Sequence, residues 1–124
     1  MMSAFVVAIV LLALVESRVA VNTNVRYHPA PATVYVTVRI DPRDEDRWLD
    51  VAAEGTTHRQ ATGRQLEGAG SARIRQIRFN ELPAGCYEFV AEIRQRDEDG
   101  PVVARAVSAP LSVYGVEIEG DPCA

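Results

Sequence analysis

The chain opens on its longest unbroken apolar run, Ala4–Val15, and 17 of its first 21 residues are apolar, the exceptions being Ser3, Glu16, Ser17 and Arg18. A run of this length is short for a bilayer-spanning helix, which needs about 20 residues, and fits the apolar centre of a signal peptide. No Lys or Arg precedes it. Val15-Glu16-Ser17 places tolerated residues at the offsets a signal peptidase needs. Taken across Glu16 and Arg18, residues 1–21 are long enough to cross a thinned bilayer or to anchor at its surface. Residues 1–21 are therefore expected as an N-terminal apolar helix, retained as an anchor, buried on a partner or removed as a signal; the alternative is a strand or helix within the domain's own core. Residues 22–32 carry Tyr27, His28 and Pro-Ala-Pro, which favour extended backbone, and are expected as a linker.

Beyond residue 32 the pattern changes to period two. In Thr33–Ile40 the residues Val34, Val36, Val38 and Ile40 fall on one face, and Thr33, Tyr35, Thr37 and Arg39 on the other. Arg47–Glu54 continues the alternation, with Leu49, Val51 and Ala53 inward and Trp48 outward, over a sheet edge. Residues 56–70 are polar and Gly-containing and predict only irregular edge strands around 58–61 and 64–66. In the stretch 71–80, Ile74, Ile77 and Phe79 are the inward candidates, and their uneven spacing predicts a bulge near Arg75-Gln76. Cys86–Arg96 alternates cleanly through Tyr87, Phe89, Ala91 and Ile93. Asp97-Glu98-Asp99-Gly100 then makes a hairpin turn into Val102–Val107. Leu111–Ile118 is a last strand and 119–124 a tail. About seven short strands without helical period predict an all-β, antiparallel sandwich over residues 33–118.

Leu82-Pro83-Ala84-Gly85-Cys86-Tyr87-Glu88-Phe89 resembles the tyrosine corner of immunoglobulin-like and fibronectin type III-like sandwiches. There a Leu enters the turn, a Gly bends it, and a Tyr hydroxyl bonds back to upstream backbone. Leu82, Gly85, Tyr87 and Phe89 occupy those positions. Trp48 is loosely similar to the core Trp of such domains but falls on the outward face. Phe89 stands where antibody domains carry one of their inter-sheet cysteines. The resemblance implies an immunoglobulin-like fold and nothing about activity.

Composition narrows the chemistry. The net charge is -4, and all 13 basic residues are Arg. An acidic chain lacks the footprint of a nucleic-acid binder, and Schiff-base lysine and P-loop chemistry are excluded. Cys86 and Cys123 form either a disulfide fastening the tail or two free thiols. Neither His28 nor His58 has a motif that makes a catalytic pair with a cysteine. The acidic stretches Asp41–Asp50 and Asp97–Asp99 are expected as solvated turns, with calcium binding the sharper alternative. Arg73, Arg75, Arg78, Arg94 and Arg96, with Arg105, would build either a cross-strand ion lattice or a basic stripe for an acidic partner or lipid headgroups. These arginines and Trp48 are the candidate interaction surface. No cofactor, metal site or catalytic constellation is expected. The resulting expectation is a non-enzymatic, membrane-anchored accessory subunit. It docks through its sandwich on a larger integral membrane complex, on the extracytoplasmic side. The alternative is a secreted module for carbohydrate, calcium or a cell-surface ligand.

Overall fold

The structure is a computed structural model that describes residues 18–115 and 121–123. The helix expected at the N-terminus falls mostly on residues 1–17, outside the described residues. Among the described residues no helix is long and apolar enough to cross a membrane. The one helical turn there is the short 3-10 segment Gly68–Gly70.

Everything else regular is strand, in two sheets. The first holds β1 (Val19–Thr23), β3 (Ala32–Ile40) and β6 (Ile74–Leu82) in the order β1-β3-β6, with both pairings antiparallel. The second holds β2 (Tyr27–Pro29), β9 (Leu111–Tyr114), β7 (Gly85–Gln95), β4 (Asp46–Gly55) and β5 (Arg59–Gln65), in the order β2-β9-β7-β4-β5. β8 (Val102–Val107) also pairs with β7, beside residues 90–94, while β9 takes residues 85–87. β8 and β9 thus act as one edge broken at Ser108–Pro110, where Pro110 has no N–H to give.

The alternation of β3 is strict: every second residue from Ala32 to Ile40 is buried. Val36, Val38, Leu49, Val51, Phe89 and Ile93 fill the space between the sheets, each fully or almost fully buried. Phe79 of the first sheet meets Phe89 of the second with ring centroids 5.4 Å apart. The pair contributes stacking beyond its buried area.

Three parts of the sequence expectation change. Residues 19–32 are not the end of an apolar segment and a linker. Val19 and Val21 are core residues of β1, and β2 lies parallel to β9. Its ends are fixed by Ser112 N–H donating to the Arg26 carbonyl and Ala30 N–H donating to the Tyr114 carbonyl. The prolines are tolerated because β2 is an edge. Ile74 is exposed, and the register of β6 with β3 is unbroken from Ile74 to Phe79. The irregularity lies further on, between Phe79 and Leu82, where Glu81 takes a positive φ of 54°. Residues 58–66 carry one strand, β5, instead of two fragments.

The tyrosine corner is present as a bond: the Tyr87 hydroxyl donates to the Pro83 carbonyl over 2.6 Å. Burial pushes the Tyr87 hydroxyl above its ordinary pKa, so it stays a donor. Tyr87→Phe should lower stability by about 1–2 kcal/mol, read as a lower urea midpoint with the slope unchanged.

A second constraint was not legible in the sequence. Asp46, expected in a solvated acidic turn, is fully buried. Its carboxylate accepts from Arg18 Nη1 at 2.6 Å and Arg18 Nη2 at 3.0 Å, and from the Arg43 backbone N–H at 2.9 Å. Burial alone would raise the Asp46 carboxyl, but the Arg18 and Arg43 donors hold it below its ordinary 3.8. As pH falls, the unfolded chain therefore takes up this proton before the folded one. The pair's contribution is complete above the ordinary carboxylate value and is lost as pH drops through the depressed one. Asp46→Asn should cost about 3–5 kcal/mol at neutral pH, because it leaves a nearly buried Arg18 without its counter-charge. Urea midpoints measured from neutral to acid pH should also fall less steeply in Asp46→Asn than in the parent.

Candidate interaction surfaces

The arginines expected to form one stripe are divided between the two sheets. Arg75 and Arg78 are on β6 and Arg73 just precedes it; Arg94 is on β7, Arg96 just follows it, and Arg105 is on β8. The split follows from topology, because β6 and β7 are consecutive in sequence but belong to opposite sheets.

The outer face of the second sheet is an ion lattice. Arg94 Nε donates to Asp50 at 2.8 Å, its Nη1 to the Gly100 carbonyl at 2.9 Å, and its Nη2 lies 3.8 Å from Glu92. The Asp50 hydrogen bond holds the Arg94 guanidinium above its ordinary pKa. Arg105 lies 3.7 Å from Glu92, and Arg59 lies 3.5 Å from Glu54. Ala52 and Val90 are outward in register yet only 6% exposed, because these long side chains cover them. Trp48 is outward, as its alternation requires. It lies over Gly63 of the edge strand β5, and its indole N–H donates to Asp50 at 2.8 Å. A Cβ at residue 63 would collide with the indole, so Gly63 is what allows the ring to lie flat.

The outer face of the first sheet is different in kind. β1 and β3 contain no Asp or Glu, and the single carboxylate of β6, Glu81, sits at the irregular end. The outward positions are Ala20, Asn22, Thr33, Tyr35, Thr37 and Arg39, then Ile74, Gln76, Arg78 and Asn80. Ile74 is 65% exposed and Tyr35 40% exposed. Among the described residues, neither Arg39 nor Arg78 has an ion-pair partner, while Arg73 lies 3.5 Å from Asp41 at the margin. A groove of about 410 Å³ lies at one end of this face, between Arg18, Arg39, Asp41, Arg73 and Ile74. Arg75 takes an inward register opposite Val38, and its Nε is buried without a partner among the described residues.

The two acidic loops share one end of the sandwich, since Asp46 pairs in register with Gln95. Among the described residues, no group of three or more His, Cys, Asp or Glu side chains converges to hold a metal ion. His58 contacts Gln60 at 3.1 Å and packs edge-on against Tyr87, with no thiol beside it.

Cys86 and Cys123 are joined in a disulfide, at a sequence separation of 37. The tail is held at a second point by a hydrogen bond from the Ser112 hydroxyl to Asp121. That hydroxyl and the Cys123 backbone N–H hold the Asp121 carboxyl below its ordinary pKa.

No protein-family model and no curated protein matches the chain. Solved structures do resemble it. A superoxide reductase (neelaredoxin) from Ignicoccus hospitalis superposes with a TM-score of 0.54 at 8% identity, over 80% of each chain. The reeler domain of human F-spondin gives 0.52 at 11% identity, over 80% of this chain and 91% of that one. A CARDB domain from Pyrococcus furiosus, described in complex with di-metal ions, gives 0.46 at 12% identity, over 78% and 86%. At these identities the likeness is one of β-rich fold alone.

Reduction, or replacement of both cysteines by serine, should lower stability by about 3–4 kcal/mol, the loop-entropy value for a closure of this length. The check is a pair of urea titrations with and without a thiol reductant; the double-serine variant should be indifferent to the reductant.

Proposed function

We propose that the chain is a non-enzymatic, immunoglobulin-like interaction module held at the extracytoplasmic face of a membrane by its N-terminal apolar segment, where it docks on a larger integral membrane protein complex. The observation that carries this reading is how closely the described fold approaches the apolar run. Arg18 is fixed to Asp46 and β1 starts at Val19, so only Glu16 and Ser17 separate the sandwich from the apolar run Ala4–Val15. A segment so close to the domain acts as a tether without slack. The disulfide supports an oxidising, extracytoplasmic location. The immunoglobulin-like assignment is supported by the strand orders and the Tyr87–Pro83 bond. A non-enzymatic role is supported by the pairing of both cysteines with each other and by the scatter of His28 and His58 over different strands and loops.

The same boundary favours one rival. Cleavage after Ser17 would release the sandwich with Arg18 at its N-terminus, as a secreted module for a carbohydrate, calcium or cell-surface ligand. Intact mass and N-terminal sequencing of the chain from native membranes separate the two. The tethered reading expects residues 1–17 to be retained, resistance to alkaline carbonate extraction, and co-migration with a larger complex in mild detergent. A freely soluble monomer beginning at Arg18 would overturn it.

A further inference from the structure

We infer that the outer face of the first sheet, β1-β3-β6, is a docking face for anionic lipid headgroups, so that the sandwich lies on its side against the bilayer. The inference rests on the tethered reading above and adds to it which surface meets the membrane.

The length of the connection comes first. Val15 and Arg18 are three residues apart, which spans roughly 11 Å even when fully extended. With the apolar run in the hydrocarbon, Arg18 is confined to the headgroup layer, and the sandwich has no room to stand away from it. Arg18 immediately precedes β1, so the surfaces within reach are the loop end beside it and the outer face of the sheet to which β1 belongs.

Charge decides between these two. The loop end carries Asp41, Asp44, Glu45, Asp97, Glu98 and Asp99 against Arg43 and Arg96. Standing on that end would press an excess of carboxylates into an anionic surface. The β1-β3-β6 face presents Arg39 and Arg78 without a carboxylate partner among the described residues; Arg73 at its margin is paired with Asp41, and Glu81 lies at the irregular end of β6. Ile74, 65% exposed, is placed to enter the interface next to Arg73. Tyr35, opposite Arg78 in register, supplies the amphipathic ring that favours headgroup depth. On a protein of net charge -4, a face whose two central arginines meet no carboxylate, bordering the tether, is complementary to anionic lipid. The opposite face meets its arginines with Asp50, Glu54 and Glu92 and has little cationic charge to offer.

The test uses the full oxidised chain reconstituted in nanodiscs of phosphatidylcholine, with or without phosphatidylglycerol, doped with a gadolinium-headgroup lipid. Amide relaxation is compared between Tyr35, Thr37, Gln76 and Arg78 on one face and Glu88, Arg105 and Val107 on the other. The expected result is enhancement confined to the first group, present with phosphatidylglycerol and lost in pure phosphatidylcholine or at high salt. Each arginine near an anionic surface contributes roughly a fivefold bias. Arg39→Glu with Arg78→Glu should therefore shift the ratio of docked to undocked orientations by more than about tenfold. The milder Arg39→Gln with Arg78→Gln should shift it in the same direction, and Arg59→Glu with Arg105→Glu on the other sheet should leave it unchanged. Amide spectra report whether each variant is folded. Equal enhancement on both faces, enhancement centred on residues 41–45 and 96–101, or indifference to lipid charge would overturn the inference. A face silent on lipid but protected in the native complex would point to an acidic protein instead, and overturns it too. A chain that fails to enter the disc overturns the tethered reading and this one together. A chain that enters without facial enhancement overturns this one alone.

Discussion

A carboxylate with no exposed surface is costly to keep ionised, and Asp46 is tolerated because three donors converge on it. The consequence reaches well beyond one ion pair. Arg18 leads into the first strand of one sheet and Asp46 opens a strand of the other, so the bidentate contact closes the two sheets at one end. Further bonds fasten the same corner: Asp41 N–H donates to the Arg18 carbonyl at 2.9 Å, and Arg18 Nη1 reaches the Asp41 carbonyl at 3.2 Å. With that corner fixed, β1 is held in register from Val19 opposite Ile40. The N-terminal end of the described chain is thus fixed by a buried electrostatic contact.

The charge distribution follows from how each face is built. The second sheet has broad strands with outward small residues, and long charged side chains fold over Ala52 and Val90, satisfying one another as they do so. The first sheet has only three strands, and its outward row is filled by Thr, Asn and Gln, which do not need partners. Its arginines are left facing outward. The edges are handled in a third way. Arg64 and Arg75 take inward-facing registers on the edge strands β5 and β6, where a charge discourages pairing with another chain. Trp48 lies across Gly63 and shields the flank of β5.

Much of the fold was legible because period-two alternation leaves little freedom: 33–40 and 87–93 each place an apolar residue on every second position, and both lie in strands with that frame. The corner at Leu82–Phe89 was legible for a different reason, since its function is local and its hydrogen bond spans four residues. What escaped depends on partners distant in sequence. Ile74 is apolar and close to Ile77, which suggested a shared face, but its orientation is set by pairing with Arg39, and that register turns it outward. β2 has three residues, two of them His and Pro, and forms only because β9, more than eighty residues later, offers a parallel edge. Asp46 sits in the run Asp41-Pro42-Arg43-Asp44-Glu45-Asp46, where nothing local distinguishes it from solvated neighbours; the residue that buries it is Arg18. The candidate interaction surface was half legible. The arginines were visible, but which of them share a face depends on a crossover between sheets that alternation does not encode.

The two long-range fastenings lie at opposite ends of one strand. Asp46 stands opposite Gln95 near the end of β7, and the disulfide departs from Cys86 near its beginning. Nine residues of extended chain separate them, roughly 30 Å. They share no side chain, and they respond to different chemistry: the ion pair to protons, the disulfide to thiols. Sites this far apart are energetically independent unless the intervening strand moves. β7 is held on both flanks, by β4 and by β8 with β9, and has no slack to transmit a change. Loss of the disulfide should therefore free the C-terminal tail without disturbing the Arg18–Asp46 corner, and acid should loosen that corner without releasing the tail.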